Sequence, residues 1–217
     1  HLVDGVYDDA YLAADEYCKK TGGIFVHPFD DEDVIAGQGT IALEILEQFQ
    51  DVDTVLVPVG GGGLCSGVAF TLKQLKPNVK VYGVQADGAS GMCKAFTEKQ
   101  SVTLDKVSTF ADGIAVKKPG DLTRELCCKY VDGMLTVSDD EIASAILTLM
   151  EKQKLVAEGA GAVGVAAVLA KKLELSGKKV CAVVSGGNID VNILSRVINR
   201  GLLSSGRVAE LKIAMLD

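Results

Sequence analysis

Four consecutive glycines, Gly60 to Gly63, are the residues of this 217-residue chain whose type and spacing most demand a chemical reason. They stand in Val57-Pro58-Val59-Gly60-Gly61-Gly62-Gly63-Leu64, between an apolar run and a helical pattern. Glycine loses more conformational freedom on folding than any other residue, so a run of four opposes folding. Without Cβ atoms, however, successive backbone N–H groups can converge on one anion. The helix that begins near Leu64 adds its positive end behind them. Such a loop is a phosphate cradle; a plain strand–helix turn would need only one or two glycines. No G-K-[ST] follows, which excludes the Walker pattern, and the run does not fit G-x-G-x-x-G with an acid about 20 residues on.

Four further segments place small or polar residues at element ends. Ser185-Gly186-Gly187-Asn188 follows an apolar strand pattern. A hydroxyl there can bond a ligand ring nitrogen while the glycines let the ring lie close, although the same tetrapeptide is good turn chemistry. Ala111-Asp112-Gly113 ends an irregular stretch, and Glu158-Gly159-Ala160-Gly161 puts an acid before an apolar helix; either suits ordinary loop or capping chemistry. Ala36-Gly37-Gln38-Gly39-Thr40 opens a helix and reads as structural.

The elements that must position these residues alternate. Helices are expected at 8–21, 37–49, 64–75, 90–99, 121–130, 159–173 and 191–202. Strands are expected at 24–26, 55–59, 80–85, 133–137, 179–184 and 207–216. Ser138-Asp139-Asp140-Glu141 is a capping box that opens one more helix. The helix from Gly159 is apolar all round and so expected to be buried. The acids Asp30, Asp31, Glu32 and Asp33 read as a solvated loop. Strands alternating with helices imply an α/β fold with a mostly parallel, doubly wound sheet. Ligands of such sheets bind beyond the carboxyl ends of the strands.

Composition narrows the partners. There are 22 basic and 29 acidic residues, a net charge of −7, which argues against nucleic acid and anionic membranes. An anionic ligand must therefore be held by local backbone geometry. The six cysteines form no C-x-x-C pair, which suits a reduced, cytoplasmic chain, and the adjacent Cys127 and Cys128 read as helix packing. Two histidines, His1 and His27, cannot build a metal cluster alone. No apolar run has the length of a membrane span, and no signal peptide is visible.

Taken in order, the motifs resemble the fold-type II pyridoxal-phosphate (PLP) enzymes, and within them the threonine ammonia-lyase (threonine dehydratase) and serine racemase group. The resemblance runs nearly end to end. It rests on Val34-Ile35-Ala36-Gly37-Gln38-Gly39-Thr40, the segment Val57 to Leu64, Phe110-Ala111-Asp112-Gly113, Ala157-Glu158-Gly159-Ala160-Gly161 and Ser185-Gly186-Gly187-Asn188-Ile189-Asp190. It implies a tryptophan synthase β-like fold with a large domain and a remnant of a smaller one. It implies that Gly60, Gly61, Gly62, Gly63 and Leu64 hold the PLP phosphate. Ser185, with Gly186 beside it, would bond the pyridine nitrogen, and Gly113 and Glu158 would lie near the cofactor face. The implied reaction is α,β-elimination of L-threonine and L-serine to a 2-keto acid and ammonia. A neutral serine hydroxyl leaves the ring a poorer electron sink than a carboxylate partner would, which suits loss of a β-hydroxyl.

The departures are equally specific. The family's Schiff-base lysine lies in a Ser-x-Lys-x-Arg-Gly type motif, and its substrate-carboxylate loop is of Ser-Ser-Gly-Asn type; neither occurs here. No catalytic lysine is therefore assigned, and the chain is read as a segment of a longer protein, inactive alone. Residues 1–30 read as the end of the small domain, 31–203 as the large PLP-binding domain, and 204–217 as a linker and first strand of a regulatory ACT-like domain for an amino-acid effector. A homo-oligomer is implied. Racemases of the group carry a divalent-metal site after the strand that here ends at Gln85. Asp87 could serve as one ligand, but Cys93 stands where a further acid is expected, so metal binding is not favoured. That and Pro28-Phe29-Asp30-Asp31 favour the ammonia-lyase over serine racemase or a β-replacement enzyme. A non-catalytic ligand-binding domain is the alternative from outside enzymology.

Overall fold

The computed structural model describes residues 1–4, 7–211 and 213. Four strands form one parallel sheet in the order β3-β2-β1-β4, with β1 at Thr54–Pro58, β2 at Lys80–Ala86, β3 at Gly133–Val137 and β4 at Val180–Ala182. The helices are α1 (Tyr7–Thr21), α2 (Glu32–Gln48), α3 (Gly63–Leu75), α4 (Gly91–Glu98), α5 (Asp121–Tyr130), α6 (Asp139–Thr148), α7 (Gly159–Leu169) and α8 (Val191–Ser204).

The sheet is apolar on both faces because strand residues alternate between two cores. Val55, Val57 and Val81 face a cluster with α2, α3, α4 and α5, which contributes Ala42, Leu72, Met92 and Cys127. Leu56, Val84 and Ala86 face the other cluster, with Ile142 and Ile146 of α6, Val163 of α7 and Val197 of α8. Fully burying each valine, leucine, isoleucine or methionine among them contributes about 1.5–3 kcal/mol. The α/β, doubly wound expectation therefore holds. From β1 the chain steps to β2 and β3 on one side; β4 then returns to the other side of β1. The switch point lies between the carboxyl ends of β1 and β4, where the glycine run and Ser185 follow.

Several boundaries moved, each for a local reason. The triplet Ile24-Phe25-Val26 forms no strand: among the described residues no strand pairs with it, and Ile24 and Val26 are exposed. The acidic run is not a solvated loop. The Asp31 carboxylate caps α2 by accepting from the N–H groups of Asp33 (2.9 Å) and Val34 (3.2 Å), so this helix begins at Glu32 rather than Gly37. Carboxylates suit that end because they satisfy its unpaired N–H groups and its positive dipole. The expected helix at 159–173 stops at Leu169, but it is buried as anticipated. The strand at 179–184 is shortened to three residues, with Val183 N–H still donating to Leu56 O.

Ser204-Ser205-Gly206 ends α8 as a Schellman stop: Gly206 is left-handed (φ 68°) and donates to Leu203 O, and Arg207 N–H donates to Leu202 O. Residues 207–211 take no strand, and positions 212 and 214–217 of the strand expected there lie outside the described residues.

Candidate active site

The glycine run leaves β1 at its buried carboxyl end and turns directly into α3. Gly62 is the N-cap, left-handed at φ 105°, a backbone conformation that glycine alone adopts at little cost. It brings no side chain, and among the described residues no side chain accepts from the first N–H groups of the helix. Ser66 N–H donates back to Gly62 O, the first intrahelical bond. The N–H groups of Gly63, Leu64 and Cys65 precede it and have no intrahelical acceptor. Gly61, Gly62, Gly63 and Cys65 are buried, while Gly60 and Leu64 are half-buried. Unpaired, buried donors at the positive end of a 13-residue helix are chemically suited to an anion.

The other motifs converge on this loop. A Cβ at Gly60 would stand 3.0 Å from Ile114 Cα and 3.4 Å from Gly113 O. One at Gly113 would meet Ala160 Cβ at 3.0 Å and Glu158 Oε1 at 3.2 Å. One at Gly186 would meet Glu158 Oε1 at 2.6 Å. Glu158 N–H donates to Gly186 O (3.1 Å) and its carboxylate accepts from Asn188 N–H (3.1 Å), so Glu158 organises the turn after β4. Gly161 lets α7 lie against that same turn, since a Cβ there would reach Gly186 O at 2.5 Å. Ser185 begins this turn and is exposed. The structure thus brings Gly60 to Gly63, Gly113, Glu158 and Gly186 into one continuous constellation at the switch point.

Other expected sites lie elsewhere. Asp87 stands in a 3-10 turn (Asp87–Ala89) after β2. Among the described residues no group of three or more His, Cys, Asp or Glu side chains is arranged to hold a metal ion. Cys93 is pushed up to about 12, first by burial and then by the charge of Asp87. Burial of Cys127 in α5 agrees with its reading as helix packing; Cys128 is half-exposed. Gly39, of the segment read as structural, packs α2 on α3: its Cβ would reach Thr71 Oγ1 at 2.5 Å and Gly67 O at 3.3 Å.

Sequence reasoning missed two layers. A cavity of about 1140 Å³ adjoins the loop, lined by Tyr11, His27, Phe29, Lys106, Thr109 and Asp139 among others. Phe29 stands between the two, its ring against Gly61 and one side on the cavity. The second layer is Asp30 and Thr123, which bond around Gly61. Only one signal pointed to them: Gly120 precedes α5 without a capping side chain, which leaves its first N–H groups open to a cap from elsewhere in the chain.

Residues 1–186 match the family of pyridoxal-phosphate dependent enzymes. The chain belongs to that family. It is similar to the L-threonine ammonia-lyase of Thermotoga maritima, 55% identical over 216 residues, which cover 100% of this chain and 54% of the relative. It is likewise similar to the L-threonine ammonia-lyase of Geobacter sulfurreducens, 46% identical over 97% of this chain and 52% of the relative. Among solved structures, the processed form of threonine deaminase isoform 2 from Solanum lycopersicum superposes with a TM-score of 0.87 at 38% identity, covering 94% of this chain and 56% of that one. Maize serine racemase superposes at 0.83 with 31% identity, covering 95% and 64%. The chain spans about half the length of the curated relatives it matches. The resemblance read from the glycine run and the Ser-Gly-Gly-Asn segment is thereby confirmed at the level of family, fold and cofactor class. No helix among the described residues is long and apolar enough to cross a membrane.

Proposed function

We propose that this chain is the cofactor-holding part of a PLP-dependent ammonia-lyase that converts L-threonine, and L-serine, to a 2-keto acid and ammonia. The observation that carries the reading is the left-handed, uncapped Gly62 at the start of α3, in a buried loop that Gly113, Glu158 and Gly186 close from the side. The names of the Thermotoga maritima and Geobacter sulfurreducens relatives support the substrate, as does the higher sequence identity to the threonine deaminase of Solanum lycopersicum (38%) than to maize serine racemase (31%).

The residues present fit the group. Gly60, Gly61, Gly62, Gly63 and Leu64 would hold its phosphate: the N–H groups of Gly63 and Leu64 have no acceptor within α3, and glycine is required at 61 to 63 because a Cβ there would fall on Phe29, Met92 or Thr123. When bound, PLP supplies an electron sink that weakens bonds at the amino acid's α-carbon. Ser185 would offer a neutral hydroxyl to the ring nitrogen. Glu158 holds the turn that carries Ser185 and Gly186, and Gly113, where a Cβ would meet Ala160 and the Glu158 carboxylate, lets its segment pack against them. The aminoacrylate or aminocrotonate released by loss of the β-hydroxyl hydrolyses to the keto acid and ammonia.

The lysine that would carry the cofactor has no Ser-x-Lys-x-Arg-Gly match within the 217 residues, so the proposed activity belongs to a polypeptide that also supplies it. We place the boundary of the small domain near residue 30 and that of a regulatory domain, binding an amino-acid effector, after residue 203. A cytoplasmic homo-oligomer completes the reading. The test is borohydride reduction of the full-length protein followed by intact mass and product analysis. One reduced pyridoxyl-phosphate per chain, with 2-ketobutyrate from L-threonine, is the expected result. D-serine as the main product from L-serine would replace the lyase with a racemase, and no adduct would overturn the enzyme reading.

A further inference from the structure

We infer that Asp30 and Thr123 are positioning residues for the phosphate loop, a latch that aims its N–H groups without touching the ligand. The inference rests on the reading of Gly60 to Gly63 as the phosphate cradle. The first part of the latch is a helix cap supplied across 91 residues of sequence. Gly120, the N-cap of α5, has no side chain, and Asp30 replaces it. One carboxylate oxygen accepts from Asp121 N–H (3.0 Å) and the other from Thr123 N–H (3.0 Å). The fit is close enough that any Cβ at Gly120 would overlap the Asp30 carboxylate.

The second part runs from α5 to the loop. The Thr123 hydroxyl, fully buried, donates to Gly61 O at 2.6 Å, and Gly120 N–H donates to the same oxygen at 3.2 Å. No peptide bond among the described residues is cis. In a planar trans peptide the C=O of one residue and the N–H of the next point in opposite directions. Holding Gly61 O against α5 therefore turns the Gly62 N–H away from α5. Beside it, the bond from Ser66 N–H to Gly62 O fixes the next peptide and aims Gly63 N–H out of the helix end. Thr123 also stops the loop from shifting, since its Cβ and Oγ1 lie 2.9 Å from where a Gly62 Cβ would be. Asp30 is itself placed by the turn before it: the N–H groups of Asp30 (2.9 Å) and Phe29 (3.3 Å) donate to His27 Nδ1.

A latch that acts on phosphate-binding N–H groups changes recognition of the phosphate and not of the ring. The experiment titrates the full-length apo-protein with PLP and, separately, with pyridoxal, which lacks the phosphate. The wild type is expected to prefer PLP strongly. Thr123→Val removes the hydroxyl and keeps the shape; it is expected to weaken PLP binding by about tenfold, the effect of one lost buried hydrogen bond, while pyridoxal binding stays within about twofold. Thr123→Ser is expected to restore PLP binding to within about threefold. Asp30→Asn keeps one of the two acceptors and is expected to fall between, with less than additive loss when combined with Thr123→Val. The phosphorus resonance of bound PLP should move in Thr123→Val and return in Thr123→Ser. Equal losses for PLP and pyridoxal, or a preference unchanged in Thr123→Val, would overturn the latch while leaving the cradle intact. A wild type without preference for PLP over pyridoxal would overturn the cradle and the latch together.

Discussion

Glu158 and Asn188 are joined through the Glu158 carboxylate, which accepts the Asn188 backbone N–H at 3.1 Å while Glu158 N–H donates to Gly186 O at 3.1 Å. The acid thus closes the turn after β4 from both ends, and it does so without an ion pair among the described residues. What the turn needs is an acceptor, more than a charge. In the full-length protein, Glu158→Gln is expected to keep cofactor affinity within about twofold, and Glu158→Ala to lower it by about fivefold, the net loss of one exposed hydrogen bond that orders the turn. Titration with PLP followed by absorbance measures both. Equal losses in the two variants would assign the carboxylate charge itself a role.

Gly62→Ala tests the left-handed turn. Its φ of 105° strains any residue with a Cβ, and that atom would lie 2.6 Å from Met92 Cε and 2.9 Å from Thr123 Cβ. Destabilisation of about 1–3 kcal/mol is expected from backbone strain alone. Urea unfolding reads it directly, and unchanged stability would show that the loop relaxes into another conformation.

Asp132 provides a pH signature. Burial pushes its carboxyl up, but Lys73 (2.7 Å), Lys80 (2.9 Å) and Val81 N–H (2.8 Å) outweigh burial and hold it below the usual aspartate range. A carboxyl with a depressed folded pKa contributes stability above its unfolded value, near 4, and that contribution is lost as pH falls through the folded one. Asp132→Asn is therefore expected to be less stable than wild type at pH 7. The two should converge as pH drops below about 4. Denaturant midpoints across pH 2–7 check the convergence.

Thiol chemistry should separate the cysteines. Hydrogen bonding to Cys65 and complete burial push the Cys127 thiol well above its ordinary range, and burial followed by the Asp87 charge pushes Cys93 up to about 12. Reactivity belongs to the thiolate. Iodoacetamide at pH 8 should leave both unmodified in the folded protein, and peptide mass mapping would show otherwise if the packing were loose.

Ser138→Ala removes half of the capping box at α6, where Ser138 Oγ accepts from Glu141 N–H (3.2 Å) and Glu141 accepts from Ser138 N–H (2.7 Å). A loss of about 1 kcal/mol in urea unfolding is expected, with Ser138→Asp recovering most of it.

Much of this protein was determined by local sequence. Strand–helix alternation set a parallel sheet because apolar runs such as Val55 to Val59 can be buried on both faces. The segments 121–130 and 133–137 and the Ser138 capping box matched in place, since their signals are contained within a few residues. The glycine run indicated an anion site, because four missing Cβ atoms have few other uses. Tertiary structure alone decided the rest. Ile24 to Val26 has strand composition but no strand partner among the described residues, and a strand exists only in a ladder. Asp30 and Asp31 look alike in sequence, yet one caps α2 and the other caps α5 across 91 residues. No periodicity encodes that, because a cap is satisfied by whichever acceptor the fold brings within 3 Å or so of the free N–H groups. Thr123 becomes a neighbour of Gly61 for the same reason: the sheet order places α5 beside the loop after β1, and spacing along the chain does not record who meets across it.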